Sequence, residues 1–324
     1  MIVYEAPRTV SSVPVIALGA SLGWPDDIWN LAAAELRTAS REIGFFYVTD
    51  HGVPDALADA ELATAKTFFA QSIEAKMAID IARSTNMRGY EPIGLQTLDE
   101  GSAPDFKESL MLGRDLGPDH PWVRDGIAYE GPNQWPALPG FREQANAYLD
   151  AIMELGRRLG ALIARSLDLP DDYFAAALAE PSCTTRMLHY PSQREVADNQ
   201  IGCGAHTDWG FITILLQDDV GGLEVQNLAG EWIVAPPLPG TFVVNLGDMI
   251  PRMTNGYYRS TPHRVLNNRS GRDRYSVASF FNPPYSHTVE CLPGCAPESG
   301  EIPPPITFAE HIQNMFQLTY GRAQ

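Results

Sequence analysis

Apolar side chains along the chain follow two different periods, and the change between them near residue 184 divides it. Before that point the spacing is helical. Leu31, Ala32, Leu36, Ala39 and Ile43 recur every three or four residues from Ile28, with Gly44 as the stop. A second helix is expected from Pro54 to Ala70, with Leu57, Ala65, Phe68 and Phe69 inward. The longest stripe is Phe141, Ala145, Tyr148, Ile152, Leu155, Leu159 and Leu162, which predicts a core helix ended by Pro170. Asp171 and Asp172 are expected to cap a short helix through Leu178. Residues 13–18 and 45–48 read as strands between these helices.

From Thr184 onward the segments shorten, alternate, and are separated by Gly, Pro, Asn and Asp. That pattern predicts strands at 184–190, 205–217, 223–226, 232–235, 241–246, 263–268, 274–282 and 287–291, enough for a sandwich or jelly roll. Gly221-Gly222 and Gly247-Asp248 read as hairpin turns. Thr307 followed by Glu310 is a capping box for a C-terminal helix reaching about Leu318. Residues 83–118 are richer in Gly, Pro and polar side chains, and 119–140 read as loop.

Composition narrows the possible partners. With 23 basic and 40 acidic residues among 324, the net charge is −17, which repels nucleic acid and anionic membrane alike. No apolar run approaches the roughly 20 residues of a membrane span. Cys183, Cys203, Cys291 and Cys295 offer no second pair for a zinc site and read as reduced thiols of a cytoplasmic protein.

The chemistry concentrates between His206 and Asp218. His206 and Asp208 stand two apart at the mouth of a strand pattern, so both side chains share one face. An imidazole and a carboxylate on one face can hold two corners of a metal ion, and His263 is the candidate third ligand. Two His and one carboxylate leave half an octahedron open, as in non-haem Fe(II) oxygenases, although these donors alone do not exclude Zn²⁺, Mn²⁺ or Co²⁺. Eleven residues beyond His263 come Arg274 and Ser276, again alternate residues of one strand, and a guanidinium fork beside a hydroxyl suits a carboxylate.

His206-Thr-Asp208, His263 and Arg274-Tyr-Ser276, in this order and spacing, resemble the Fe(II)/2-oxoglutarate-dependent dioxygenases, in the branch named for isopenicillin N synthase. Val13 to Leu18 resembles that branch's opening strand, and Glu42 to Val53 its Gly-Phe-Phe…His-Gly-Val segment, so the likeness spans most of the chain. The resemblance implies a mixed α+β, mainly β fold, with a double-stranded β-helix (jelly-roll) core flanked by N-terminal helices and a C-terminal helix. It implies an N-terminal dioxygenase region over 1–118, helical support over 119–180, the Fe(II)/2-oxoglutarate core over 181–295 and a C-terminal helix over 296–324, packed as one unit.

The same resemblance implies Fe(II) on His206, Asp208 and His263, and 2-oxoglutarate on Arg274 and Ser276, with Tyr190 contributing a hydroxyl. O2 is the second co-substrate, and ascorbate a reductant that keeps the iron ferrous. Where many plant relatives carry Asn-Tyr-Tyr-Pro, this chain has Leu188-His189-Tyr190-Pro191, so the asparagine contact is absent. Arg88, Tyr90, Phe106, Lys107, Arg186, Phe280 and Phe281 are candidates for the substrate pocket, with one of the two phenylalanines facing it and the other in the core. The expected reaction is oxidation, chiefly hydroxylation, of a small-molecule C–H bond with release of succinate and CO2. Two alternatives share the site: an isopenicillin N synthase-type or ethylene-forming oxidase, and a jelly-roll protein that binds metal without turnover.

Overall fold

The computed structural model describes residues 8–19, 26–98, 103–196, 199–296 and 302–320. Its N-terminal elements are β1 (Val15–Ala17), α1 (Asp26–Glu42), β2 (Phe45–Thr49), α2 (Asp55–Phe69), α3 (Ile73–Met77), β3 (Gly89–Glu91), β4 (Glu108–Gly113), α4 (Pro121–Arg124) and α5 (Phe141–Ser166). There follow β5 (Ser182–Tyr190), β6 (Cys203–His206), β7 (Ile212–Gln217), β8 (Leu223–Gln226), β9 (Trp232–Val234) and β10 (Phe242–Leu246). The chain closes with α6 (Met249–Met253), β11 (His263–Val265), β12 (Arg274–Asn282), β13 (Thr288–Val289), β14 (Ile306–Thr307) and α7 (Phe308–Tyr320).

Two sheets form the jelly roll. The larger has eight strands in the order β1-β2-β10-β7-β12-β5-β4-β3, and the smaller has four in the order β6-β11-β8-β9. Alternation along each strand of the large sheet sorts its residues between two cores. Phe46, Val48, Leu110, Leu112, Met187, Ile212, Ile214, Val244, Val277 and Phe281 meet Ala145, Tyr148, Ile152 and Leu155 of α5 on the outer face. Phe45, Tyr47, Leu188, Tyr190, Val243 and Ala278 meet Cys203, Leu223, Val225, Ile233 and Val265 of the small sheet in the barrel interior.

Several expectations need correction. Residues 205–217 are not one strand: β6 belongs to the small sheet and β7 to the large one. The break falls at Thr207–Phe211, where Gly210 lies so close to Asn282 that a Cβ would sit 1.9 Å from its Oδ1. Residues 83–118 contribute two strands to the large sheet, and β4 pairs with β5 along six residues. Asp171 does not cap a helix, because its carboxylate is taken by the Arg165 guanidinium at 2.7 Å, and the segment to Leu178 stays in turns. Gly247-Asp248 leads into α6, not into a hairpin, and Gly221-Gly222 passes between the two sheets. The strand expected at 287–291 shrinks to β13, paired with β14 outside the barrel. Among the described residues no helix is long and apolar enough to cross a membrane.

Candidate active site

Antiparallel pairing of β6 with β11 sets His206 directly opposite His263, with ring centroids 4.3 Å apart. Asp208 follows β6 by two residues and points between them: its Oδ1 lies 3.8 Å from His206 Nε2 and its Oδ2 3.9 Å from His263 Nε2. One donor atom from each residue falls within 4.8 Å of the others. Backbone carbonyls fix the tautomers. Nδ1 of His206 faces the Gly204 oxygen at 2.8 Å and Nδ1 of His263 the Thr261 oxygen at 3.3 Å. A carbonyl only accepts, so each Nδ1 carries the proton and each Nε2 lone pair is free.

The electrostatics suit a cation. Burial pushes both imidazoles down from their ordinary pKa; His263, with His206 beside it, reaches about 4, so both rings are neutral donors. Burial works against the charge of Asp208, but the two imidazoles, Thr213 and Asn245 outweigh it and hold the carboxyl below its usual range. Thr213 Oγ1 donates to Asp208 Oδ2 at 2.6 Å and Asn245 Nδ2 at 2.8 Å, which leaves Oδ1 free of such bonds. Thr207 Oγ1 donates to Asp248 Oδ2 at 2.9 Å, while the Asp248 amide donates to the Asp208 carbonyl at 2.7 Å. Nothing local in the sequence marks these supports. Thr213 and Asn245 sit on strands remote from each other in sequence, and Gly247-Asp248 reads by itself as a plain turn.

Deeper in the barrel, Arg274 and Ser276 share the inner face of β12. Arg274 is almost fully buried, yet among the described residues Nη1 donates only to Ser276 Oγ at 3.1 Å and Nη2 only to Gln217 Oε1 at 3.0 Å. Its Nε is buried without a partner, and among the described residues no carboxylate oxygen comes within 4.0 Å. The guanidinium lies over the Tyr190 ring, 4.7 Å from its centroid. A buried charge with only neutral partners is a carboxylate receptor awaiting its anion. Gln217 is an addition to the expected set; its inward position follows from the register Ser276 to Gln217.

The pocket candidates separate by face. Arg186 lies on the inner face, bonded through Nε to Ser109 Oγ at 2.9 Å and ion-paired with Glu91. Lys107 also points inward, to Asp105 and, at 3.3 Å, to Cys203 Sγ. Asp105 Oδ1 accepts from the Gly204 amide at 2.9 Å, so this buried pair tethers the strand that carries His206. Phe280 packs into the barrel interior whereas Phe281 is fully buried in the outer core. Tyr90 is corrected: alternation along β3 turns it to the outer face, where its hydroxyl meets Glu108 Oε2 at 2.5 Å. Phe106 is half-buried, its amide bonded to the Ile201 carbonyl at 3.0 Å. Arg88 is buried at the edge of the inner face, with its guanidinium against Gly113.

Comparison with known proteins agrees with this geometry. Residues 181–283 match the 2OG-Fe(II) oxygenase superfamily, and residues 13–138 match the N-terminal region of the non-haem dioxygenases of morphine synthesis. A 2-oxoglutarate-Fe(II) type oxidoreductase of Emericella nidulans is 42% identical over 299 residues, covering 90% of this chain and 85% of its own. A homoarginine-6-hydroxylase of Glycine max is 37% identical over 297 residues, covering 87% and 88%. Among solved structures, a full-length Neurospora crassa protein crystallised in complex with alpha-KG and thymine superposes with a TM-score of 0.84 at 29% identity, covering 95% of this chain and 97% of that one.

Proposed function

We propose that this chain, which belongs to the 2OG-Fe(II) oxygenase superfamily, binds Fe(II) through His206, Asp208 and His263 and anchors 2-oxoglutarate through Arg274 and Ser276, so as to hydroxylate a C–H bond of a small molecule. The enzyme is a non-haem oxidoreductase whose cofactor is iron and whose co-substrate is 2-oxoglutarate. The observation that carries the residue assignment is the pairing of a thiolate-free His-Asp-His cluster with a buried guanidinium lacking a carboxylate.

The donor set fits iron. Two neutral imidazole Nε2 atoms and one carboxylate oxygen converge, and His206 is the most exposed of the three, its side chain at 23%. When bound, Fe(II) supplies the activation of O2 that couples decarboxylation of 2-oxoglutarate, to succinate and CO2, to insertion of the other oxygen atom into substrate. The chain's own residues do the rest. Arg274 and Ser276 receive the distal carboxylate, Gln217 keeps the guanidinium aimed, and the Tyr190 ring stacks beneath it. Thr213 and Asn245 hold Asp208 in one rotamer, which presets the ligand geometry. Leu188, Val225, Val243 and Phe280 line the interior with apolar surface and exclude bulk water.

Anaerobic titration of iron-loaded protein with 2-oxoglutarate tests the assignment through the visible charge-transfer band of the chelate. A saturable band that weakens sharply in Arg274→Ala, with succinate formed in proportion to an oxidised product, is expected. Bound iron without a band removes 2-oxoglutarate and points to an oxidase that uses its substrate's own carboxylate. Succinate absent while 2-oxoglutarate is fragmented points to an ethylene-forming reaction.

A further inference from the structure

Arg274 is not alone in its electrostatic signature. Arg88 is 2% exposed, and among the described residues its only side-chain hydrogen bond runs from Nη1 to the Asn86 carbonyl at 3.1 Å. Its Nε is buried without a partner, Nη2 has none among the described residues, and no carboxylate oxygen approaches within 4.0 Å. Glu130, the acid whose charge bears on it, is itself buried, and that burial raises its carboxyl pKa although Ser182, Arg88 and Arg114 pull it back. Arg186 differs, because Glu91 neutralises it directly.

The place of Arg88 follows from strand register. Leu110 and Leu112 of β4 belong to the outer core, so Gly113 presents its missing side chain to the inner face. A Cβ there would lie 2.4 Å from Arg88 Nη2 and 2.7 Å from Cζ, so the guanidinium occupies the space of that absent side chain. Gly113 pairs with Thr184, Thr184 with Phe280, Phe280 with Thr213, and Thr213 with Asn245. One row across the inner face therefore begins at Arg88 and ends at the two residues that hold Asp208. Three strand spacings separate Gly113 from Thr213, about 14 Å, with Phe280 between them as an aromatic floor.

We propose that Arg88 is the anchor for a carboxylate on the primary substrate, whose apolar or aromatic body lies over Thr184 and Phe280 with the reacting carbon toward the metal. The inference rests on the reading of the metal and 2-oxoglutarate site given above and names the substrate class for it. An uncompensated guanidinium in the barrel wall is costly to bury, and an incoming carboxylate relieves that cost, as 2-oxoglutarate does for Arg274. The two receptors are separate: Arg274 begins β12 and Arg88 stands against Gly113, the last residue of β4.

The test uses full-length protein saturated with Mn(II) and N-oxalylglycine, so that the metal site and the Arg274 clamp are both filled. Thermal stabilisation by these two ligands is measured first; its absence sinks the reading of the metal and clamp, independently of Arg88. Benzoate, phenylacetate, 2-naphthoate and indole-3-carboxylate, each beside its primary amide, are then titrated calorimetrically into wild type, Arg88→Met and Arg88→Lys. At least one acid is expected to bind wild type roughly tenfold or more tightly than its amide. Arg88→Met should erase that preference without changing N-oxalylglycine affinity, and Arg88→Lys, which keeps the charge, should retain part of it. The proposal is overturned if no acid is distinguished from its amide in wild type, or if the preference survives in Arg88→Met. Should Arg88→Met fail to fold, Arg88→Lys decides: an acid preference undiminished by loss of the planar fork overturns the proposal.

Discussion

The two faces of the large sheet are built from the same strands and serve opposite ends. On the outer face α1, α2 and α5 close over Phe46, Ile214, Val277 and Phe281, and packing is mainly apolar, with Glu108 paired to Lys76 and His189 as a neutralised polar patch. On the inner face the same strands present Arg186, Thr213, Asn245, Arg274 and Ser276, and the guanidinium groups of Arg88 and Arg274 lack an anion among the described residues. The outer face supplies the stability that lets the inner face carry strain. Buried charge without a partner is tolerated only where the surrounding strands are held by something else.

Asp208→Ala should separate the faces most sharply. Turnover should fall by roughly a thousandfold or more, about 4 kcal/mol in the barrier. The melting temperature of metal-free protein should fall by only a few degrees, since Thr213 and Asn245 lose a shared acceptor but no apolar packing is removed. Succinate release and a thermal melt measured together check both halves. A melt that collapses would mean the inner face is structural.

Phe281→Ala makes the converse change. Truncating a fully buried ring in the outer core should cost about 3–4 kcal/mol of stability. Affinity for 2-oxoglutarate should stay within about twofold in the folded protein, because neighbouring residues of β12 face opposite ways. Denaturant unfolding alongside a 2-oxoglutarate titration measures the two effects separately.

Arg274→Ala comes next. Loss of a charge-assisted clamp should weaken 2-oxoglutarate by roughly 30- to 100-fold, or about 2–3 kcal/mol. Stability without ligand should hold or rise, since an uncompensated buried charge disappears. A clear loss of stability would show instead that Gln217 and Ser276 already satisfy the guanidinium.

The smallest effect sharpens the comparison from an exception on the outer side. Glu61 is fully buried between α2 and α5, its Oε2 accepting from Gln144 Nε2 at 3.2 Å and its Oε1 unpartnered. Burial pushes its pKa up to about 7 from 4.5. A carboxyl raised in this way holds its proton on folding, so its neutral form costs nothing below about pH 4.5. Stability then falls as pH rises through about 7. Glu61→Gln should flatten that slope and raise stability above pH 7 by about 2 kcal/mol. Urea midpoints at pH 5, 6, 7 and 8 check the sign, and a slope that survives the substitution places its source elsewhere.

Much of this is open to a reading of residues in order. The seven-residue stripe on α5 is buried at every position, and β12 with Arg274 and Ser276 lies where alternation puts it. Local evidence fails where it faces a distant competitor. Asp171 resembles a helix cap until Arg165 claims its carboxylate, and the Gly-, Pro- and polar-rich run 83–118 hides β3 and β4, which are strands by virtue of pairing with β5 and with each other. Tyr90 is a pocket candidate by resemblance, but the phase of a three-residue strand is set by its neighbour.

By itself the sequence determined the helical period of α1, α2 and α5, the order of the ligating residues and the pairing of Arg274 with Ser276 on one strand face, since these depend on backbone geometry within a few residues. Tertiary structure alone decided which face of each strand looks into the barrel, that Thr213 and Asn245 would brace Asp208, and that Arg88 would lie in the space left by Gly113 with no anion beside it. Those are matters of register and desolvation between segments far apart in the chain, and neither exists until the strands have paired.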